Sequence, residues 1–290
     1  MKEPFFTGAC TALVTPYLDH QINYPMLELL LRRQIDAGIE TVVLCGTTGE
    51  ASTLSDSEKL EIISRAKRYT GDACKIIAGT GSNSTVHAVQ LSKAAQQCGA
   101  DGLLVVSPYY NKATADGLRA HYHAVLQAVD IPVIAYNVPT RTGVDIPVEV
   151  YRDLSAAANF AGTKESSADI TKSTKILQAC GDCMTLWSGN DDMAVPMMAI
   201  GAKGVISVLS NLFPAEVQSM VRAALDGDFD TAAALQIHFQ PLIEALFSEI
   251  NPIPVKAAMS MLGFDCGVCR LPLTPMVDKN RKKLEKVLFA

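Results

Sequence analysis

Thr41-Val42-Val43-Leu44-Cys45, then Ser55-Asp56-Ser57-Glu58, then Lys75-Ile76-Ile77-Ala78, is the stretch on which the fold turns. Two short apolar runs rich in β-branched residues flank a capping box, in which a serine and a glutamate three residues later satisfy the free amides of a helix's first turn. Leu60, Ile63, Ala66 and Lys67 follow at helical spacing, and Gly71 falls where the helix gives way to the next strand. Strand, helix and strand in that order make a βα unit, and strands joined by a helix run parallel.

Outward from this unit the pattern repeats. The candidate strands are Ala9-Val14, Thr41-Cys45, Lys75-Ala78, Leu103-Val106, Pro132-Tyr136, Phe160-Thr163, Met184-Trp187 and Gly204-Val208. They recur about every 30 residues, as repeated βα units do, and eight is the number that closes a TIM (β/α)8 barrel. Gly38, Gly99 and Gly181, like Gly71, sit where helices should end. An open doubly wound sheet would show the same alternation, but no Gly-x-Gly-x-x-Gly follows the first strand, and Gly79-Thr80-Gly81 is too short to replace it. From Pro214 to Ala290 the runs are helical, with the last barrel helix expected over about Pro214 to Leu225. The expected organisation is therefore a catalytic α/β barrel over residues 1–226 and a C-terminal helical appendix over residues 227–290. Pro252, Pro254, Pro272 and Pro275 punctuate the appendix, and no Gly/Ser/Pro-rich linker precedes it, so it should pack on the barrel.

A hydrophobic share of 49% with 19% charged residues describes a globular chain. The net charge of −5 argues against a nucleic-acid surface, which requires clustered Lys and Arg. The basic cluster from Lys279 to Lys286 is broken by Leu284 and Glu285 and reads as a solvated helix face. No apolar run reaches the roughly 18 residues that span a bilayer. Glu3 and Pro4 stand where a signal peptide would be basic, so a cytoplasmic protein with no membrane partner is expected. Its eight cysteines should then be free thiols. Cys180-Gly-Asp-Cys183 and Cys266-Gly-Val-Cys269 have C-x-x-C spacing, but they lie far apart with no histidine beside them, and no metal is expected.

In such a barrel the C-terminal ends of the strands carry the active site. Asn159-Phe160-Ala161-Gly162-Thr163-Lys164 is followed by Glu165-Ser166-Ser167, so a lysine closes a buried strand. An ammonium there is costly to keep charged, its pKa tends to fall, and the free amine becomes a nucleophile. Other strands end in Gly46-Thr47-Thr48-Gly49-Glu50, in Ser107-Pro108-Tyr109-Tyr110-Asn111-Lys112 and in Tyr136-Asn137-Val138-Pro139-Thr140-Arg141-Thr142-Gly143. Each has an ordinary reading: a plain turn, a packing pair of tyrosines, a surface arginine, a lysine snorkelling to solvent. Together on one barrel face they describe carbonyl chemistry on an anionic substrate. Lys164 would condense with a ketone, a phenol would move protons, and the arginine would hold a carboxylate.

The same segments, with Gly204-Val205-Ile206-Ser207-Val208, Asn251-Pro252-Ile253-Pro254-Val255-Lys256 and Arg270-Leu271-Pro272-Leu273, resemble the dihydrodipicolinate synthase family of the N-acetylneuraminate lyase superfamily. The likeness runs almost the whole chain, and the arginine in the Tyr136–Gly143 segment separates the synthases from the sugar-acid aldolases. The resemblance implies a Schiff base between pyruvate and Lys164, whose enamine attacks L-aspartate 4-semialdehyde in diaminopimelate and lysine biosynthesis, with no cofactor. It makes Tyr136 the proton donor and acceptor, with Thr47 and Tyr110 as its relay, Tyr110 reaching into a neighbouring subunit's site. Thr48 and the backbone at Ile206 would contact pyruvate, with Gly189 near the same pocket, and Arg141 would contact the semialdehyde's carboxylate. A relay residue borrowed from a partner would make oligomerisation functional, and a homotetramer, built as a dimer of tight dimers, is expected.

Two alternatives remain at this level: an aldolase of the same superfamily cleaving a sialic or keto-deoxy sugar acid, and a barrel binding a keto acid for regulation only. One departure from the family bears on regulation. Members inhibited by lysine receive its ammonium groups on an acidic residue at the tight-dimer interface. Here that position is His87, and the flanking histidine positions are Asp56 and Lys59, although Asn83 and Tyr109 are kept. Weak or absent inhibition by L-lysine is expected, with Asp56 a conceivable substitute anion.

Overall fold

The computed structural model describes residues 2–290, and in it eight parallel strands close into a barrel in chain order. They are β1 (Gly8–Ala12), β2 (Thr41–Leu44), β3 (Lys75–Gly79), β4 (Gly102–Val106), β5 (Val133–Asn137), β6 (Phe160–Glu165), β7 (Thr185–Ser188) and β8 (Gly204–Ser207). The ring closes where β1 pairs with β8, from Gly8↔Gly204 to Thr11↔Ser207, and with β2 at Thr11↔Val42.

Each expected strand is present within two residues of its ends, and the differences have local causes. β2 stops at Leu44 because Cys45 turns to φ 54°, a left-handed conformation that cannot continue a ladder. β6 runs past Thr163, since Lys164 pairs with Tyr136 on one side and Trp187 on the other, and Glu165 with Asn137 and Ser188. Lys164 is therefore inside its strand, not beyond the end of it. A short antiparallel hairpin, Tyr17–Leu18 with Gln21–Ile22, was not expected from the sequence.

The helix at Asp56–Thr70 begins with both halves of the capping box: Glu58 N–H donates to Ser55 Oγ at 3.3 Å, and Ser55 N–H to Glu58 Oε2 at 2.8 Å. It buries Ile62, Ile63 and Ala66 against the barrel. Each large aliphatic side chain so buried is worth about 1.5–3 kcal/mol. A second apolar cluster fills the barrel itself, with Phe6, Cys10, Ile77, Ile134 and Ile206 around Trp187, whose ring stacks on Phe6 at 4.7 Å.

Helix Pro214–Leu225 packs on β1, and helices Phe229–Leu246, Ile253–Met261 and Asp278–Leu288 follow it. The last turns Leu284 and Leu288 inward and leaves most of its basic residues outside. Among the described residues no helix is long and apolar enough to cross a membrane. All eight cysteines are free thiols. Burial pushes the Cys180 and Cys269 thiols up to about 11 and that of Cys266 to about 12, while Cys183 is exposed. No group of three or more His, Cys, Asp and Glu side chains among the described residues could hold a metal ion.

Candidate active site

Pairing of β5 with β6 sets Tyr136 directly beside Lys164. Alternation along the strands turns both into the barrel mouth, and Lys164 Nζ stands 4.5 Å from the centre of the Tyr136 ring. Both are buried, at 7% and 6% exposure, so the amine sits in a setting poorer in water than a surface lysine has. The next residues on each strand face the other way. Asn137 Nδ2 donates to both Glu165 oxygens, at 2.9 and 3.0 Å, and to Asp145 at 2.8 Å. Lys172 closes this network on Asp145. Burial pushes the Glu165 carboxyl up, and Lys172 and Asn137 pull it back only in part.

The end of β7 supplies room. A Cβ on Gly189 would fall 2.8 Å from Lys164 Cε and 1.9 Å from Ser166 Oγ, so any side chain there would displace the lysine. Beside it, Asp191 is fully enclosed and accepts the amides of Val208 and Leu209 at 2.9 and 3.0 Å. Burial raises its carboxyl, against the pull of Ser207 and those amides.

The loop after β2 is bracketed by two residues at positive φ, Cys45 at 54° and Glu50 at 57°. Neither is glycine, so the surroundings must hold the conformation. They do so from the C-terminal segment. Glu50 Oε1 pairs with Lys256 Nζ at 2.8 Å in a fully buried ion pair, and Glu50 Oε2 accepts the Arg270 amide at 2.9 Å. The Arg270 guanidinium in turn holds the Glu58 carboxyl down at about 2. Asn251 Nδ2 donates to Thr48 Oγ1 at 3.0 Å, and its main-chain carbonyl accepts Arg141 Nη2 at 3.3 Å.

Thr47, Thr48, Tyr136, Arg141, Lys164 and Gly189 line one cavity of about 450 Å³ at the mouth. A neighbouring cavity of about 560 Å³ shares Thr47, Tyr136 and Arg141 and runs out to Asp56, Lys59, His87 and Tyr109. Ile206 is fully buried in the barrel cluster and lines neither cavity. Tyr110 also stands apart: it is 90% exposed with φ 74° and lines neither cavity. On the rim, His87 Nε2 and Asp56 Oδ2 lie 2.8 Å apart, and Lys59 Nζ is 3.6 Å from the same carboxylate. Partial burial raises Asp56, but the His87 hydrogen bond and both neighbouring charges hold it below the usual carboxylate range.

Sequence reading assigned no part in the site to Asn251, to the Glu50 clamp or to the Asn137–Glu165 network. The last has a sequence signal, since residues one place beyond two paired, inward-facing residues must meet on the outer face. A buried amine beside a phenol, with hydroxyls and a guanidinium around one small cavity, can form an imine with a keto acid and move the protons that this requires.

The comparisons agree with that chemistry. The dihydrodipicolinate synthetase family profile matches residues 5–290. The 4-hydroxy-tetrahydrodipicolinate synthase of Acetivibrio thermocellus is 44% identical over 288 residues, covering 99% of this chain and 98% of its own. The solved dihydrodipicolinate synthase of Aquifex aeolicus superposes with a TM-score of 0.96 at 44% identity, covering 98% of this chain and 97% of its own. The enzyme from Cyanidioschyzon merolae, solved with lysine bound, gives a TM-score of 0.96 at 35% identity, covering 99% of this chain and 98% of its own. With a family match across nearly all of its length and the lysine, tyrosine and arginine gathered at one barrel mouth, the chain belongs to the dihydrodipicolinate synthetase family.

Proposed function

We propose that this chain condenses pyruvate with L-aspartate 4-semialdehyde to give 4-hydroxy-tetrahydrodipicolinate, a step of diaminopimelate and lysine biosynthesis. The observation that carries the reading is Lys164 buried against the Tyr136 ring in a cavity that also holds Thr47, Thr48 and Arg141. The Lys164 amine adds to the pyruvate ketone, and loss of water leaves an imine. Removal of a methyl proton, passed through the Tyr136 phenol, gives the enamine. Its carbon attacks the aldehyde, whose oxygen takes a proton to become the hydroxyl. The substrate's own amine then adds to the imine carbon and expels Lys164, closing the ring and restoring the free enzyme.

Charge divides the cavity between the substrates. Arg141 is suited to the semialdehyde's carboxylate, since a guanidinium binds a carboxylate through two parallel hydrogen bonds. Thr47, Thr48 and the backbone near Ile206 take the pyruvate side, and the absence of a side chain at Gly189 keeps the space beside Lys164 open. Tyr110, held almost wholly outside its own subunit, completes the relay of a neighbour in a dimer of tight dimers. The protein works in the cytoplasm.

At the rim, lysine binding is weak. The acidic position that would receive an ammonium is His87, and the nearest carboxylate, Asp56, is already engaged by His87 and Lys59.

The test is a coupled assay with both substrates, together with borohydride reduction in pyruvate alone. Turnover and a mass increase on the peptide carrying Lys164 are expected. Pyruvate release from a sugar acid without condensation would instead favour an aldolase, and labelling of a different lysine would overturn the assignment. For Tyr110, inactive Tyr110→Phe and Lys164→Ala subunits co-assembled into mixed dimers should recover activity. No recovery in verified mixed dimers would place Tyr110 outside the relay between subunits.

A further inference from the structure

Asn251 reaches the mouth from the C-terminal segment and touches both anion-binding groups: its side-chain amide donates to Thr48 Oγ1 at 3.0 Å and its carbonyl accepts from Arg141 at 3.3 Å. A threonine hydroxyl has one proton and can both accept and donate. Once Oγ1 accepts from the Asn251 amide, its own proton must point elsewhere, and no acceptor among the described residues takes it. Thr48 lines the same cavity as Lys164.

The other end of the amide makes this arrangement unusual. Asn251 Oδ1 is buried with no hydrogen-bond partner, in a residue 5% exposed. A buried acceptor left unmatched costs folding free energy, which the hydrogen bond from the same amide to Thr48 offsets in part. Its one productive side-chain contact is with Thr48.

We propose that Asn251 is a positioning residue that holds the Thr48 hydroxyl in the orientation that donates to the pyruvate carboxylate. The inference rests on the substrate reading given above. The two substrates hang on one residue by different atoms: pyruvate's partner on the side chain, the semialdehyde's on the main chain. Removing the side chain should therefore affect them unequally.

The experiment compares wild type with Asn251→Leu, which keeps the volume and loses the amide, and with Asn251→Ala. Half-saturation by pyruvate is read from borohydride trapping on Lys164, and KM is measured for each substrate. Asn251→Leu should raise the half-saturating pyruvate concentration about five- to tenfold, the loss of one oriented hydrogen bond, and move the semialdehyde KM by less than about twofold. In a Thr48→Val background the same substitution should add nothing, because the hydroxyl it orients is gone. An equal rise in both KM values, or full additivity with Thr48→Val, would mean a general loosening of the mouth and overturn the proposal. If Asn251→Leu does not fold, Asn251→Ala is read by the same criteria. Wild type that is not trapped by pyruvate would sink the substrate reading and this inference with it. Trapped wild type with unchanged variants would sink this inference alone.

Discussion

Tyr136 and Lys164 stand side by side because β5 and β6 pair residue for residue from Ile134 onward, whereas Asn251 reaches the same mouth, and Lys256 and Arg270 the loop after β2, from 203 to 220 residues away along the chain. The first arrangement is made by backbone hydrogen bonds, which do not depend on which side chain occupies a strand position. The second is made by side chains, two of them in a buried ion pair, and it fails when one partner is removed. Chemistry and its support should thus come apart under mutation: the barrel residues can lose function and keep the fold, while breaking the Lys256–Glu50 pair costs both.

The largest effect tests the barrel half. Lys164→Ala should lower condensation by on the order of 10^4-fold or more and abolish trapping, with the thermal midpoint nearly unchanged, because the strand pairing remains. Arg141→Ala should lower condensation by about a hundredfold yet still be trapped by pyruvate. A trapping defect as deep as the condensation defect would mean that the two substrate sides are misassigned.

The appendix half breaks next. Lys256→Met leaves the Glu50 carboxylate buried and unpaired, and equilibrium denaturation should report a loss of about 3–5 kcal/mol. The Lys256→Met/Glu50→Gln double variant should regain much of it. If the single variant is as stable as wild type, the clamp on the loop at 45–50 is not what holds it.

Acid sensitivity provides a control remote from both halves. His121, buried on helix Ala115–Ala128, has its pKa lowered to about 4 by burial, and among the described residues its Nδ1 pairs only with Thr85 Oγ1 and its Nε2 with nothing. Between pH 4 and the ordinary value near 6.5 the unfolded chain binds a proton that the folded chain refuses. Stability is therefore fully present above about pH 6.5 and falls by about 3 kcal/mol as the pH drops to 4. In His121→Leu that part of the slope should vanish while the KM values at neutral pH stay put; an unchanged slope would mean that His121 already titrates normally.

The smallest effect is at the rim. Without an acidic side chain at His87, the site for an amino acid's ammonium lacks charge-assisted hydrogen bonds worth about 1.5–3 kcal/mol, roughly a ten- to hundredfold weakening. L-Lysine should not inhibit with a midpoint below about a millimolar at neutral pH. His87→Glu should strengthen inhibition, and potent inhibition of wild type would show that Asp56 serves in spite of its own partners.

The strands were legible because apolar runs, capping boxes and helix-ending glycines are local signals, and all eight came within two residues of their observed ends. Lys164, Tyr136 and the Gly46–Glu50 loop were legible because a barrel exposes its strand ends on one face. Less legible was the end of β6: Lys164 and Glu165 look polar enough to leave a strand, yet each pairs with neighbours on both sides. Ile206 and Tyr110 show the other limit, since neither lines either of the two cavities at the mouth.

By itself, then, the sequence determined the repeated βα unit and the number of strands, and it put Lys164 at a strand end as the candidate nucleophile, all from patterns within about 30 residues. Only the tertiary structure decided that Asn251 donates to Thr48, that Lys256 neutralises Glu50 and that Asp56 is held by His87. Such contacts join residues distant in the chain through side chains whose polarity alone carries no address. The first two exist only once barrel closure has brought the C-terminal segment over the mouth, and that geometry leaves no periodic mark in the sequence.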